Sequence, residues 1–124
     1  MTTRRRFARL WPAILLSMLL FATGCRSYHV ETSIENHSGA AIRLLEVDYP
    51  SASFGTDGLA AGAVFHYRIQ VQGSGPVKIQ YTVGDDHQVR ITGPILSERQ
   101  QGNLEIVLLP GDKVEFQPQL TGGS

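Results

Sequence analysis

The chain is poor in cysteine, methionine and tryptophan, and each shortage excludes something. Its 124 residues contain one cysteine, two methionines and one tryptophan. A lone cysteine cannot form an internal disulfide, so the usual covalent framework of small exported domains is excluded. Trp11 and both methionines lie within the first 18 residues. A domain folded from the rest therefore lacks the cysteine pair and core tryptophan of antibody domains, and has no methionine for a copper site.

Basic charge is also scarce beyond the N-terminus. The whole chain has eleven basic and eleven acidic residues and a formal net charge of zero. Four of the arginines lie within the first 24 residues, so the remainder carries seven basic against eleven acidic side chains, a net charge of −4. A mildly acidic domain without a basic patch argues against nucleic acid as a partner.

The N-terminal segment has the pattern of an export signal. Basic residues from Arg4 to Arg9 precede an apolar run from Leu10 to Phe21, and the small residues Ala22, Thr23 and Gly24 follow. This order is typical of a cleaved signal helix, and the run is shorter than the ~20 residues that a membrane-spanning helix needs. We therefore predict a signal peptide over residues 1–24.

Cys25 gives this segment a more specific meaning. Ala22-Thr23-Gly24-Cys25 resembles the lipobox of bacterial lipoproteins. The resemblance implies that the cysteine sulfur is lipidated, that the signal is cut just before it, and that the new N-terminus is acylated with a fatty acid such as palmitate. Two or more acyl chains anchor a protein stably to a membrane. The alternative is ordinary cleavage after Gly24, which leaves a free thiol.

Two further details bear on location. Thr3-Arg4-Arg5-Arg6-Phe7 resembles the twin-arginine export motif, although adjacent arginines in a general secretory signal give the same pattern. Arg26 rather than aspartate follows the cysteine, and by the lipoprotein resemblance this implies the outer membrane facing the periplasm. Either export route ends outside the cytoplasm, in the bacterial cell envelope.

Beyond the signal, the sequence predicts one all-β domain. We expect residues 25–29 to form a lipidated tether, residues 30–118 a sandwich, and residues 119–124 a disordered tail. Apolar residues alternate with polar ones at a period of two, which indicates half-buried strands. Seven such runs follow one another without a helical period, a pattern that resembles antiparallel immunoglobulin-like or fibronectin-like sandwiches. The runs are residues 30–35, 41–49, 64–71, 77–83, 87–91, 104–109 and 114–116.

Two segments interrupt the regular pattern. In the second run the apolar residues occupy even positions up to Leu44 and odd positions from Leu45 onward. This switch indicates either a β-bulge or a strand covered on both faces. Residues 50–62 are rich in serine, glycine and alanine and are predicted to form a long loop. Phe54 in this loop is interpreted either as a plug for the core or as an aromatic ring offered to a ligand.

The two runs on either side of Gly73-Ser74-Gly75-Pro76 predict a hairpin. Burying both apolar sets on one face pairs Val71 with Val77, Ile69 with Ile79 and Tyr67 with Tyr81. The outer face then pairs Gln70 with Lys78, Arg68 with Gln80 and His66 with Thr82. This arrangement gathers His66, Arg68 and Lys78 into one possible contact patch for a ligand or partner.

Catalytic and metal-binding motifs are weak. His29, His37, His66 and His87 show no close ligand spacing, although His29 and His66 could meet if their strands were neighbours. Asp85-Asp86-His87 lies in a tight turn, where aspartate is common. No serine lies in a nucleophile elbow, and no glycine-rich phosphate loop precedes a helix.

The sequence as a whole predicts a lipid-anchored envelope protein without enzymatic activity, cofactor or metal. We expect it to act as a structural or protein-interaction module whose partners are the membrane, through Cys25, and an envelope protein. The alternative is a periplasmic carrier of a small solute or metal. It would use the loop at Phe54 or the outer face at His66, Arg68 and Lys78.

Overall fold

A computed structural model describes residues 28–123, and every regular element within them is a strand. The eight strands are β1 (Val30–Asn36), β2 (Ile42–Tyr49), β3 (Ala52–Leu59), β4 (Val64–Ile69), β5 (Gly75–Val83), β6 (His87–Leu96), β7 (Gln100–Leu109) and β8 (Lys113–Gly122). They form two four-stranded sheets, in the orders β4-β1-β7-β8 and β3-β2-β5-β6. The predicted all-β sandwich is therefore confirmed.

The core lies between the two sheets and is built from the alternating apolar residues. Ile34 and Ile106 of the first sheet and Val77 and Ile79 of the second are 0–1% exposed. Fully burying a side chain of this size contributes about 1.5–3 kcal/mol to folding. Because one face of each strand supplies these groups, the period-two pattern identified the inward faces correctly.

One central pair of strands is parallel, which corrects the prediction of a purely antiparallel sandwich. β1 lies between β4, which is antiparallel to it, and β7, which is parallel to it from Val30↔Gly102 to Asn36↔Leu108. The sheet orders also differ from the ABED and CFG orders of constant antibody domains. The likeness to immunoglobulin domains is thus one of two-sheet architecture.

The predicted hairpin between β4 and β5 is wrong. β4 pairs with β1, and Tyr67 lies opposite Thr32. β5 belongs to the other sheet, where Tyr81 lies opposite Val89 of β6. The segment between them crosses from one sheet to the other. Alternation reveals which face of a strand is buried, but both strands of such a connection face the same core, so alternation cannot distinguish a hairpin from a crossover.

The predicted loop over residues 50–62 contains β3, which raises the number of strands from seven to eight. β3 pairs with β2 from Tyr49↔Ala52 to Ile42↔Leu59. The sequence pattern missed it because serine and glycine are uncommon in strands, and only Phe54 and Leu59 reach the core. Backbone pairing with β2 compensates for the weak propensity.

Several strands are longer than the sequence predicts, and β6 and β8 are extended the most. β8 continues to Gly122 and pairs with β7 as far as Gln100↔Gly122, so residues 119–122 belong to the sheet rather than to a tail. β6 continues through Gly93-Pro94 to Leu96, with a register irregularity opposite Pro76. Both strands are at sheet edges, where a proline loses no ladder hydrogen bond if its nitrogen faces solvent.

The parity switch at Leu44-Leu45 is a β-bulge. The register between β2 and β5 shifts between Arg43 and Glu46. Leu44 adopts a φ of 53° and is 60% exposed, whereas Leu45 is buried. The bulge brings the carbonyl oxygen of Leu45 so close to Gly55 on β3 that a Cβ at that position would collide with it.

The side chain of Asn36 forms a hydrogen bond between the two sheets at one end of the sandwich. Its buried side-chain amide donates hydrogen bonds to the carbonyl oxygens of Ala40 (2.8 Å) and Leu59 (3.0 Å). Its Oδ1 accepts from the backbone N–H of Ser38 (3.1 Å). Every polar group of this buried amide thus has a partner, which is the condition for burying it without a large penalty.

Candidate interaction surface

The structure separates the residues that the sequence placed in one patch. His66 and Arg68 lie on the outer face of the first sheet, on the edge strand β4. Lys78 lies on the outer face of the second sheet, opposite Asp48 and Thr92. Because the core separates these faces, Lys78 cannot share a contact patch with His66. Cys25 lies outside the described residues.

His66 and Arg68 remain together on β4. The Nε of Arg68 donates to Oε1 of Glu31 on β1 at 2.6 Å, and both side chains are more than half exposed. Such surface pairs contribute about 0–1 kcal/mol to stability, but this pair neutralises the only cation on β4 apart from histidine. His66 is exposed and lies opposite Ser33.

The described histidines do not converge on a metal site. His66 is level with Ser33, four residues along the chain from His29, which corresponds to about 13 Å in a strand. Within residues 28–123 no group of three histidine, cysteine, aspartate or glutamate side chains is placed to hold a metal ion. His29 and His66 therefore do not meet, although β1, which follows His29, is the neighbour of β4.

Phe54 belongs to the core and lies at the centre of an aromatic group that closes one side of the sandwich. We call Tyr49, Phe54, Phe65 and Tyr67 the aromatic edge. The ring of Phe54 stacks on Tyr67 with centroids 4.5 Å apart and planes 8° apart. Phe65 and Tyr49 each lie 6.2 Å from it. Such pairs contribute about 0.5–1.5 kcal/mol beyond their burial.

Phe54 itself is only 7% exposed, so the structure agrees with its interpretation as a core plug. Tyr67 is the exposed member of the aromatic edge, with 44% of its surface open to solvent. Burial raises the pKa of Tyr49, and the proximity of Tyr67 raises it further. The sequence did not predict that Tyr67 is exposed, because Tyr67 alternates in phase with the inward-facing residues Phe65 and Ile69. The position of β4 at the sheet edge leaves this residue partly exposed.

Acidic side chains gather on the outer face of the first sheet. Glu105 on β7 forms a hydrogen bond with Glu35, and this bond is the largest cause of the raised pKa of Glu105. The charges of Glu35 and Glu115 raise that pKa further, whereas His37 lowers it. Nε2 of His37 lies 3.5 Å from Oε2 of Glu35. The group therefore retains a proton more strongly than isolated carboxylates would.

Residues in and beside the Asp85-Asp86-His87 turn contact a turn of the other sheet and a side chain of β2. Nε2 of His87 lies 2.7 Å from Oδ2 of Asp112 in the turn between β7 and β8. The guanidinium of Arg43 donates to the carbonyl oxygens of Gly84 (3.1 Å) and Asp85 (3.0 Å). The contact between His87 and Asp112 links the two sheets at this end, whereas the bonds of Arg43 hold a turn of its own sheet.

Two of the surface hollows are wide open and lie on the outer faces of the sheets. One of about 440 Å³ lies over the bulge and is lined by Leu44, Glu46, Gly55, Asp57 and Gln80, among others. Another of about 490 Å³ includes Glu31, Arg68 and Gln119. Neither encloses a ligand on several sides as a typical small-molecule site does.

Comparison with known proteins finds no relative. No protein-family model matches the chain, and neither a curated protein nor a solved structure matches it. Among the described elements there is no helix able to cross a bilayer.

Proposed function

We propose that the chain is a lipoprotein of the bacterial cell envelope, held through Cys25 at the periplasmic face of the outer membrane, and that it acts there as a non-enzymatic interaction module. The motif Ala22-Thr23-Gly24-Cys25, its basic and apolar lead-in, and the absence of any second cysteine support the anchor. A lipid bond also accounts for an otherwise unpaired thiol in an exported protein.

The observation that carries the proposal is the distance in sequence between the cysteine and the folded domain. β1 begins at Val30, and the carbonyl oxygen of His29 already accepts a hydrogen bond from the backbone N–H of Gly102 (3.2 Å). Four residues lie between Cys25 and Val30, so five residue steps connect their Cα atoms. Even fully extended they span at most about 17 Å. Cleavage before Cys25 would therefore leave the whole sandwich intact and keep it next to the bilayer.

The surface offered by such a domain supports interaction rather than chemistry. Its outer faces carry mixed polar and charged residues, and its apolar exposure is concentrated at a few positions, among them Val64 and Tyr67 of β4. Exposed apolar side chains on a sheet edge favour contact with another protein chain. The aromatic edge and β4 are therefore the proposed contact region.

Incorporation of labelled palmitate tests the anchor. Bacteria expressing the full chain are grown with the label, and membranes are compared for wild type, Cys25→Ser and Thr23→Ala. We expect label in the wild type, none in Cys25→Ser, and label in Thr23→Ala because alanine keeps the small residue of the motif. Equal labelling of wild type and Cys25→Ser, or no label in either, would contradict the proposal.

A further inference from the structure

β4 has fewer features that block a further strand than the other sheet edges, and its one fixed charge, Arg68, is paired with Glu31. The edge strands of the two sheets are β3, β4, β6 and β8. β6 contains Pro94, β8 contains Pro118, and β3 contains two glycines and Asp57. β4 (Val64–Ile69) contains no proline, glycine, lysine or acidic residue. Natural edges usually carry such residues because they block pairing with another chain.

The hydrogen bonds of β1 show which backbone groups of β4 face outward. The backbone N–H of Asn36 donates to the carbonyl oxygen of Ala63 (3.0 Å), on the side of β4. The backbone N–H of His37 donates to the carbonyl oxygen of Leu108 (2.8 Å), on the side of β7. Backbone groups alternate in direction along a strand. Even-numbered residues of β1 therefore face β4, and their partners in β4 are the odd-numbered residues Phe65 to Ile69.

It follows that Val64, His66 and Arg68 direct their N–H and C=O groups away from β1. No other described strand pairs with that side of β4. The N–H and C=O groups of these three alternate residues provide about six hydrogen-bonding groups in one row. A strand of at least five residues can dock against such a row by antiparallel pairing.

We infer that this row binds the β4 strand of a second copy of the chain, about a twofold axis through His66. In this register His66 pairs with His66 of the partner subunit, and Val64 pairs with Arg68 of the partner subunit. All three outward-facing residues then lie at hydrogen-bonded positions. The inference deepens the proposed function as an interaction module, and rests on it, by naming the partner as a second copy on the same membrane.

Self-complementarity favours a second copy over an unrelated strand. Between the bonded positions, the register places Phe65 opposite Tyr67 of the partner subunit, and aromatic cross-strand pairs are stabilising. It also covers Val64 and Tyr67, which are 42% and 44% exposed. Arg68 adds no unpaired charge to this interface, because its Nε is 2.6 Å from Oε1 of Glu31 in the same copy. A twofold axis satisfies both copies with the same surface.

The tether is long enough for both copies to share one membrane. Val30 lies on β1, next to the edge strand β4, and opposite Ile69. Ile69 is three residues along β4 from His66, where the axis passes. The two Val30 residues are thus about 25 Å apart in the paired sheets. With the axis normal to the membrane, a tether of about 17 Å on each copy lets both Cys25 residues reach it. Anchoring also raises the effective concentration of the second strand.

Disulfide trapping in bacterial membranes tests the inference with the full chain. Bonded antiparallel pairs have Cα atoms about 5.5 Å apart, within the range that a disulfide spans. His66→Cys should therefore form a covalent homodimer under oxidising conditions. The matched control is Ser33→Cys, on the same face and level with His66 but one strand in. Across the axis its Cα atoms are about 14 Å apart, too far for a disulfide.

We expect at least fivefold more covalent homodimer from His66→Cys than from Ser33→Cys or from wild type, which retains Cys25 alone. Adding Val64→Pro to His66→Cys should reduce the yield because it removes an outward N–H, whereas adding Val64→Ala should not. Resistance of each variant to proteolysis shows that the fold is retained. Equal yields from His66→Cys and Ser33→Cys, or a crosslink of His66→Cys to a different protein, would overturn the inference.

Palmitate labelling of the same membranes separates this inference from the proposed function. Labelled chains that give no excess dimer from His66→Cys would refute the strand pairing and leave the lipid anchor in place. Unlabelled chains that still give the dimer would refute the anchor and support the pairing.

Discussion

The ring of Phe54 lies parallel to the ring of Tyr67, with centroids 4.5 Å apart, although the two residues belong to different sheets. β3 and β4 are edge strands on the same side of the sandwich, and Phe54 of β3 stacks on both Phe65 and Tyr67 of β4. Tyr67 thus packs on the buried ring of Phe54 and is still 44% exposed to solvent. The stack couples the stability of the fold to the proposed interaction strand.

The first prediction concerns this stack. Phe54→Leu should lower the free energy of unfolding by about 1–3 kcal/mol, as core substitutions commonly do. Tyr67→Leu should lower it less because Tyr67 is partly exposed. The double variant should lose about 0.5–1.5 kcal/mol less than the two single losses combined, since the stacking is removed only once. Urea denaturation of all four proteins measures this, and strictly additive losses would contradict a direct stacking energy.

The second prediction concerns the glycine beside the bulge. Gly55→Ala should destabilise the domain by about 1–3 kcal/mol, because its Cβ would meet the carbonyl oxygen of Leu45 and the backbone must move. Gly58→Ala on the same strand is the control. Its Cβ would lie 3.7 Å from the carbonyl oxygen of Ile42, an ordinary contact, so we expect a change within about 0.5 kcal/mol. Equal midpoints of thermal unfolding for both variants would show that the bulge does not require glycine.

The third prediction concerns a buried hydroxyl. Thr32 is 2% exposed, and its Oγ1 has no hydrogen-bond partner among the described residues. Thr32→Val keeps the shape and removes the unpaired group, so it should raise the free energy of unfolding by about 1–2 kcal/mol. Thr32→Ser keeps the hydroxyl and loses a methyl group, so it should lower stability. If Thr32→Val destabilised the domain in urea, the hydroxyl would have to be bonded in the folded protein.

The fourth prediction concerns the pH dependence introduced by Glu105. The hydrogen bond with Glu35, followed by the charge of Glu35, raises the pKa of Glu105 above its ordinary 4.5. The folded state therefore binds this proton more tightly than the unfolded state, and stability falls as pH rises from 4.5 through the raised pKa. Glu105→Gln should raise the melting temperature at pH 7.

The advantage of Glu105→Gln should shrink as the pH is lowered toward 4.5, where the wild-type carboxyl becomes neutral. Glu98→Gln, in the turn between β6 and β7, is the matched control for the loss of one negative charge. Melting temperatures at several pH values compare the two. A constant difference between wild type and Glu105→Gln across this range would refute the coupling with Glu35.

Particular residues show how far the sequence could predict the site. The outward position of His66 and Arg68 follows from alternation, and the structure agrees. Their separation from Lys78 does not follow, because a crossover and a hairpin bury the same apolar residues. Tyr67 has the same inward parity as Ile69, yet it is 44% exposed and Ile69 only 2%. The difference arises at the edge of the sandwich, where Phe54 stacks on the ring of Tyr67 but no further described strand lies beyond β4 to bury the rest of it.

The sequence by itself determined the strand class, the inward face of most strands and the position of the parity switch that became the bulge at Leu44. These are local properties, because a period of two and the turn residues act within a few positions of the chain. Only the tertiary structure decided that β1 runs parallel to β7, that β3 forms from a glycine-rich segment, and that β4 is an edge strand with one unpaired side. Those features depend on which strands meet across long separations in sequence, and that choice depends on the packing of the complete core.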